Sequence, residues 1–405
     1  MFGLRQPAGL CLDGETKMAT GPLSGLKVVE FAGIGPGPMC GMLLADLGAE
    51  VLRVDRLLPS GLGIKRPPRF DLLNRGKRSI AVDLKQDSGV AFARRLVVGS
   101  DALIEGFRPN TMERLGLGPE LCMARQPNLV YGRVTGFGQS GPLASVAGHD
   151  LNYIALSGAL HAMGRAGCAP TPPLNLVGDF GGGALVLAFG MLAALWNVQR
   201  SGVGQVVDAA MIDGAAMLMT SMYGMLASGQ HTGPRGTNLL DSGAPHYEVY
   251  RCADGEYVSV APIEAKFREV LLQRLGLAAA AFDFDDKSRW PETKARLVEL
   301  FATRTQAQWC ELLEGSDACF APVLAPLEAP HHPHHRARVT FVEVDGVIQP
   351  APVPRFSGTP AGLPHAPHSA DDGALAQVLR WGIDPGELDE LVRAGVIRSG
   401  GAQPG

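Results

Sequence analysis

A chain of 405 residues exceeds what one ordinary hydrophobic core supports, so two domains are the starting expectation. Hydrophobic residues make up 46% and charged residues 19%, which excludes a disordered chain and provides for a sizeable core. A formal net charge of −4 gives no whole-chain attraction for nucleic acid.

Glycine is abundant, at 52 residues or about twice its usual share, which favours tight turns and close backbone approaches. The seven cysteines (Cys11, Cys40, Cys122, Cys168, Cys252, Cys310, Cys319) are scattered, odd in number and without a CxxC. They read as free thiols of a reducing compartment, so the expected location is cytoplasmic. Residues 1–17 lack the apolar run of a signal peptide, and residues 1–21 read as a disordered extension.

Residues 26–32 (LKVVEFA) have the continuous apolar texture of a buried parallel strand. A glycine-rich turn (GIGPGP, 33–38), a helix over 39–47 and a strand over 50–55 complete a βαβ unit. The unit invites a dinucleotide reading with Asp55 on a ribose. Against that, Pro38 replaces the third glycine of GxGxxG, and Pro36 and Pro38 remove two of the N–H groups that would cradle pyrophosphate.

From Arg56 to Lys85 the chain carries Lys65, Arg66, Arg69, Arg75, Lys77 and Arg78, its most basic region. Either this is a solvated loop, or its arginines grip a polyanion such as a phosphate. Strands at 79–82, 102–106, 129–134 and 205–208, with helices between, argue for a parallel sheet covered on both faces.

The segment 148–183 holds the residues with acid/base potential. His149 and Asp150 precede an apolar helical run at 151–160, which makes Asp150 a candidate N-cap. Asp179 lies in GDFGGG at a second helix start and is also a possible cap. Glycine beside each acid lets a ligand approach the backbone. Residues 181–198 carry no charge and approach membrane-spanning length, but with no second span and no flanking basic cluster a buried core helix is expected.

Beyond a glycine-rich linker at 226–245, residues 247–252 and 257–260 form a hairpin around Asp254-Gly255. Mixed helices and a strand at 321–324 complete a small domain at 226–325. Residues 326–370 are proline-rich and return across the first domain, and a helix capped by Asp384 ends the fold. The tract His331-His332-Pro333-His334-His335 reads as a surface loop and not a metal site, because no acid lies within it and Pro333 breaks a helical face. No GxSxG, HExxH or P-loop motif occurs.

The motifs GHDLNY (148–153) and NLVGDFGGG (175–183), with LKVVE (26–30), ADLGA (45–49), VDR (54–56), RGKRS (75–79), DLK (83–85), FRP (107–109) and RLG (114–116), resemble the family III CoA-transferase group. Within it the likeness is to the branch that racemises α-methylacyl-CoA thioesters. The resemblance implies an α/β fold: a Rossmann-like parallel-sheet large domain (22–225), a smaller α+β domain (226–325), and a return segment with C-terminal helix (326–405), in an interlocked homodimer. It implies His149 and Asp179 as the catalytic pair, supported by Glu264 from the other subunit's small domain. CoA or substrate contacts are implied at Arg56, Ala81, Val82, Asp83, Leu84, Lys85, Arg108 and Arg114, and at Gly148, Asp150, Leu151, Asn152 and Tyr153. The implied reaction interconverts (R)- and (S)-2-methylacyl-CoA through an enolate, with the Asp150 N–H as a candidate oxyanion donor. It needs no metal and no cofactor beyond the CoA of its substrate, and no membrane or nucleic-acid partner. The alternative is a CoA-transferase with Asp150 as nucleophile; in those enzymes the preceding residue is not histidine.

Overall fold

The computed structural model describes residues 20–58, 61, 63–278, 282–367 and 373–399. Residues 1–19 of the expected extension lie outside this set. Six parallel strands form the central sheet: β1 (Lys27–Phe31), β2 (Glu50–Asp55), β3 (Arg78–Val82), β4 (Ala102–Glu105), β5 (Val130–Thr135) and β6 (Val206–Ala210). Their spatial order is 3-2-1-4-5-6. A short C-terminal strand pairs antiparallel on β3, aligning Ile397 with Val82.

Alternate residues along each strand serve opposite faces, as the pleat requires. Val29, Phe31, Leu52 and Val54 join a core with Phe92, Leu96 and the C-terminal residues Val378 and Leu388. Val28, Val51 and Ile104 join another with Leu44, Leu187 and Met191. The order reverses between β1 and β4, so the loops after these strands part and leave a crevice at their carboxyl ends.

Two buried ion pairs fix the first βα unit. Lys77 Nζ lies 2.6 Å from Glu30 Oε2 and donates to the Pro38 carbonyl at 2.8 Å. Arg75 pairs with Asp46 at 2.6 Å and donates to the carbonyl of Pro350. The helix Pro36–Asp46 begins three residues earlier than its sequence pattern suggested, because Pro36 and Pro38 need no N–H partner in a first turn.

A second sheet contains β7 (Glu248–Arg251), β8 (Tyr257–Val260) and β9 (Phe320–Val323), all antiparallel. The expected Asp-Gly hairpin is present, with Gly255 at φ 90°. Tyr250 stacks on Phe301 at 4.8 Å in the core beneath. The return segment holds an unforeseen hairpin, β10 (Phe341–Val344) and β11 (Val347–Pro350), turning at Asp345-Gly346.

Two expectations are corrected. The helix Leu176–Ser201 is the one described helix long and apolar enough to cross a membrane, but only 39% of its most apolar window is buried. Leu187, Met191 and Ala194 face the core, whereas Phe189 and Trp196 are exposed. Pro333 opens a helix (Pro333–Arg338) instead of breaking one, and the His332 side chain accepts from the His334 N–H at 3.3 Å. No group of metal-ligating side chains occurs among the described residues, the histidine tract included.

Candidate active site

The crevice at the β1/β4 switch point is where the chemistry-bearing residues gather. Asp179 comes from the start of the helix Leu176–Ser201, whose first ten residues, Leu176–Leu185, wind as a π-helix. Such wide turns are rare and concentrate at functional sites. The three glycines at 181–183 permit this: a β-carbon on Gly182 would meet the Ala215 backbone at 2.7 Å, and one on Gly183 would meet Pro36 at 2.9 Å. Asp179 is therefore not a cap. Asn175 occupies that position and donates from Nδ2 to Asp179 Oδ2 at 3.2 Å.

Gly35, in the turn after β1, faces the same carboxylate. It sits at φ 69°, and a β-carbon there would stand 3.1 Å from Asp179 Oδ2. The glycine-rich turn thus brings bare backbone against a carboxylate instead of a pyrophosphate. The ribose reading of Asp55 also fails, because Asp55 is buried, pairs with Arg53 at 2.7 Å and accepts from the Ser79 hydroxyl.

His149 is the N-cap residue of the helix Asp150–Leu156, and its backbone N–H donates to Asn152 Oδ1 at 3.0 Å. Its side chain is exposed at the helix mouth. Asp150, expected as the cap, is instead the first helical residue and is 5% exposed. Its Oδ2 accepts from the Asp179 N–H at 2.7 Å. The two helix starts are therefore joined through one carboxylate.

Electrostatics couple the group. Burial raises the Asp179 carboxyl above the usual carboxylate range, the Asn175 hydrogen bond opposes this, the Asp150 charge adds to the rise, and the His149 charge lowers it. Tyr153 is pushed up to about 12, first by burial and then by the charges of Asp179 and Asp150, with Arg108 opposing. Tyr153 packs edge-on against Phe137 at 4.9 Å, and its hydroxyl donates to the Gly148 carbonyl. These residues hold the loop that presents His149. Leu151 and Asn152 are exposed beside it.

The remaining expected contacts separate into surface and interior. Arg56, Lys85 and Arg108 are exposed in loops at the carboxyl ends of β2, β3 and β4, and Arg114 is exposed at the end of the short helix Thr111–Arg114 that follows β4, where an anionic ligand can reach them. Asp83 is partly exposed, and Gln86 and the Lys85 N–H donate to its carboxylate, which lowers its pKa in that order. Leu84 packs against the core. Ala81 and Val82 are buried strand residues: Ala81 pairs with Asp55 and Arg398 on its two sides, Val82 pairs with Ile397, and neither side chain is exposed in this chain. Arg75 and Lys77 likewise leave the basic region, since both are consumed by internal ion pairs. Glu264 is exposed at the start of the helix Ala265–Arg274, and no described hydrogen bond or ion pair links it to His149 or Asp179.

Sequence reasoning missed Asn175 and the tie between Asp150 and Asp179. Asn175 and Asp179 stand four residues apart, the spacing of helical neighbours, which was a usable signal. The tie spans 29 residues and had none.

Fold and site together define a doubly wound α/β protein with an imidazole and a half-buried carboxylate at its sheet switch point. Comparison with known proteins makes this particular. The family model described as CoA-transferase family III matches residues 23–372. The chain is 45% identical over 382 residues to the α-methylacyl-CoA racemase of Mus musculus, covering 93% of this chain and 98% of that one. It is 45% identical over 346 residues to the Homo sapiens protein of the same name, covering 84% and 87%. The crystal structure of a CaiB/BaiF family protein from Brucella suis aligns with a TM-score of 0.75 at 27% identity, covering 89% of this chain and all of that one. The chain belongs to CoA-transferase family III.

Proposed function

We propose that this enzyme is an isomerase of the α-methylacyl-CoA racemase type, interconverting (R)- and (S)-2-methylacyl-CoA by a two-base proton transfer. The observation that carries the reading is the pairing of Asp179 with His149 at one crevice: a carboxylate whose proton affinity is raised by burial, within electrostatic reach of an imidazole. The names of the two mammalian relatives, each 45% identical, support it.

Inversion beside a thioester carbonyl needs one base on each face of the α-carbon. One group, as carboxylate or neutral imidazole, removes the α-proton. The C–H electron pair moves into the carbonyl and gives an enolate. The other group, protonated, returns a proton to the opposite face. A productive pose holds each base about 2.6–3.2 Å from its partner atom, and each contributes roughly 10²–10⁴-fold. A raised Asp179 is the stronger base when ionised and the readier proton store when not. The N–H of Asp150, at the first position of its helix, takes no backbone partner and is our candidate donor to the enolate oxygen.

Arg56, Lys85, Arg108 and Arg114 would bind the CoA phosphates, and exposed apolar side chains would carry the acyl group. We further propose a large domain at 22–225, a small one at 226–325 and a return segment at 326–405. In the functional homodimer, Glu264 of the partner subunit supports His149. The exposed row Leu185, Phe189, Leu192 and Trp196 supports a partner covering that face, since patches of this kind mark interaction sites. The reaction requires neither a metal nor a cofactor besides CoA itself, and the proposed site of action is the cytoplasm, apart from membranes and nucleic acids.

The transferase alternative needs Asp150 as nucleophile, and its burial with Oδ2 bonded to Asp179 speaks against that. The test is the optical activity of a single-enantiomer 2-methylacyl-CoA. Loss of optical activity without any free acid acceptor, and with no hydroxylamine-trapped protein acyl group, supports racemisation. Acyl-CoA formation that depends on an acceptor acid, with trapping at Asp150, overturns it.

A further inference from the structure

We propose that Asp150 is the positioning residue for Asp179: it holds the general base through its main-chain amide and takes no covalent part in the reaction. This rests on the racemase reading above. Asp179 lies in the first turn of its helix, where backbone N–H groups have no intrahelical acceptor. The Asp179 N–H finds its acceptor on another element 29 residues away, the carboxylate of Asp150, at 2.7 Å.

Three further observations make this a built contact. Gly178 lies against the same carboxylate, so that a β-carbon there would meet Asp150 Oδ2 at 2.7 Å and Cγ at 2.9 Å. The absence of a side chain at Gly178 is what admits Asp150. The second oxygen of Asp150, Oδ1, is buried with no hydrogen-bond partner. A carboxylate accepts this desolvation only where other terms favour its charge. Here it stands at the positive N-terminal end of its own helix and of the one carrying Asp179. Finally, the helix bearing Asp179 starts as a π-helix, a rare geometry that concentrates at functional sites. An external acceptor on the Asp179 amide sets where that turn stands relative to His149.

The carboxylate has an electrostatic effect as well. The charged or titratable groups acting on Asp179 are Asp150 and His149, and Tyr153 is coupled to it. Asp150 raises the proton affinity of Asp179, so removing its charge lowers the Asp179 pKa. Rates that require ionised Asp179 fall as pH drops through that pKa. In Asp150→Asn the acid limb therefore moves to lower pH, while the amide oxygen still accepts the Asp179 N–H. In Asp150→Ala the contact is lost, and kcat falls by on the order of 10²-fold, the usual cost of a displacement of about 1 Å at a reacting group.

The experiment compares wild type, Asp150→Asn and Asp150→Ala for α-proton exchange into heavy water, for kcat and KM across pH, and for amide hydrogen exchange over residues 175–185. Three results are expected. Asp150→Asn retains more activity than Asp150→Ala and shifts its acid limb downward. Asp150→Ala loses kcat with little change in KM. The 175–185 amides lose protection in Asp150→Ala and keep it in Asp150→Asn. If Asp150→Ala fails to fold, the acid limb and amide protection of Asp150→Asn decide the matter alone. Wild type without α-exchange overturns the racemase reading and this inference with it. Wild type that exchanges, with an unmoved acid limb and unchanged amide protection in the variants, overturns this inference alone. Equal loss of all activity in both variants, with a trapped acyl group in wild type, makes Asp150 the nucleophile.

Discussion

Replacing Gly35 with alanine tests whether the turn after β1 sets the position of Asp179. Gly35 adopts φ 69° and ψ −117°, a conformation closed to side-chain-bearing residues. Forcing a non-glycine residue into so sparse a region costs about 1–3 kcal/mol. The added β-carbon also stands 3.1 Å from Asp179 Oδ2 and 3.5 Å from its carboxyl carbon, so the carboxylate must give way by a few tenths of an ångström. If a displacement of about 1 Å costs ~10²-fold, a shift of about 0.3 Å costs roughly 4-fold in kcat. Gly25→Ala is the control. Gly25 also has a positive φ, 89°, but its β-carbon would meet nothing within 4 Å. Both variants are assayed by thermal unfolding and by racemisation of a 2-methylacyl-CoA. Both should lose stability, and only Gly35→Ala should lose kcat beyond its loss of fold. Equal kcat in the two variants would refute a catalytic Asp179 seated against Gly35.

Lys77→Ala leaves Glu30 buried without its counter-ion and should cost about 3–5 kcal/mol in denaturant unfolding. By contrast, Arg56→Ala should leave unfolding unchanged and raise KM for the thioester roughly tenfold or more, as loss of a charged hydrogen bond does. The raised Asp179 pKa means that folding binds its proton more tightly than the unfolded chain does. Its ionisation therefore costs stability as pH rises from the unfolded pKa through the folded one. Asp179→Asn should then unfold at higher temperature than wild type near neutral pH while losing racemisation. Phe189→Asp and Trp196→Asp, on the exposed apolar row, should shift sedimentation from dimer to monomer and abolish activity. A fully active monomer would refute the shared site.

Much of the fold could be read before the structure was known, because its signals are local. Six parallel strands announced themselves as apolar runs between glycine punctuation, and the β1 and β4 loops were marked by GIGPGP and FRP. His149 and Asp179 were picked out by charge in a charge-poor, glycine-rich stretch and by family resemblance. What escaped depends on tertiary pairing. Arg75 and Lys77 look like phosphate ligands until Asp46 and Glu30 are found beneath them. Asp150 looks like a cap until the Asp179 amide arrives from another helix. The edge of β3 at Ala81 and Val82 looks open until a C-terminal strand more than 300 residues later pairs along it. The exposed face of the helix at 176–201 is a different case: its sequence is that of a core helix, and composition alone does not distinguish a buried apolar face from an exposed one such as that of Phe189 and Trp196.

The most direct test of two-base catalysis follows α-deuterium incorporation from heavy water, starting from each pure enantiomer, with His149→Ala and Asp179→Asn. Each variant should fail to racemise. Each should still exchange the α-proton of one enantiomer with retention, the one whose proton faces the surviving base, and the two variants should be selective for opposite enantiomers. Racemisation surviving in either variant, or the same enantiomer preference in both, would contradict a site with one base on each face.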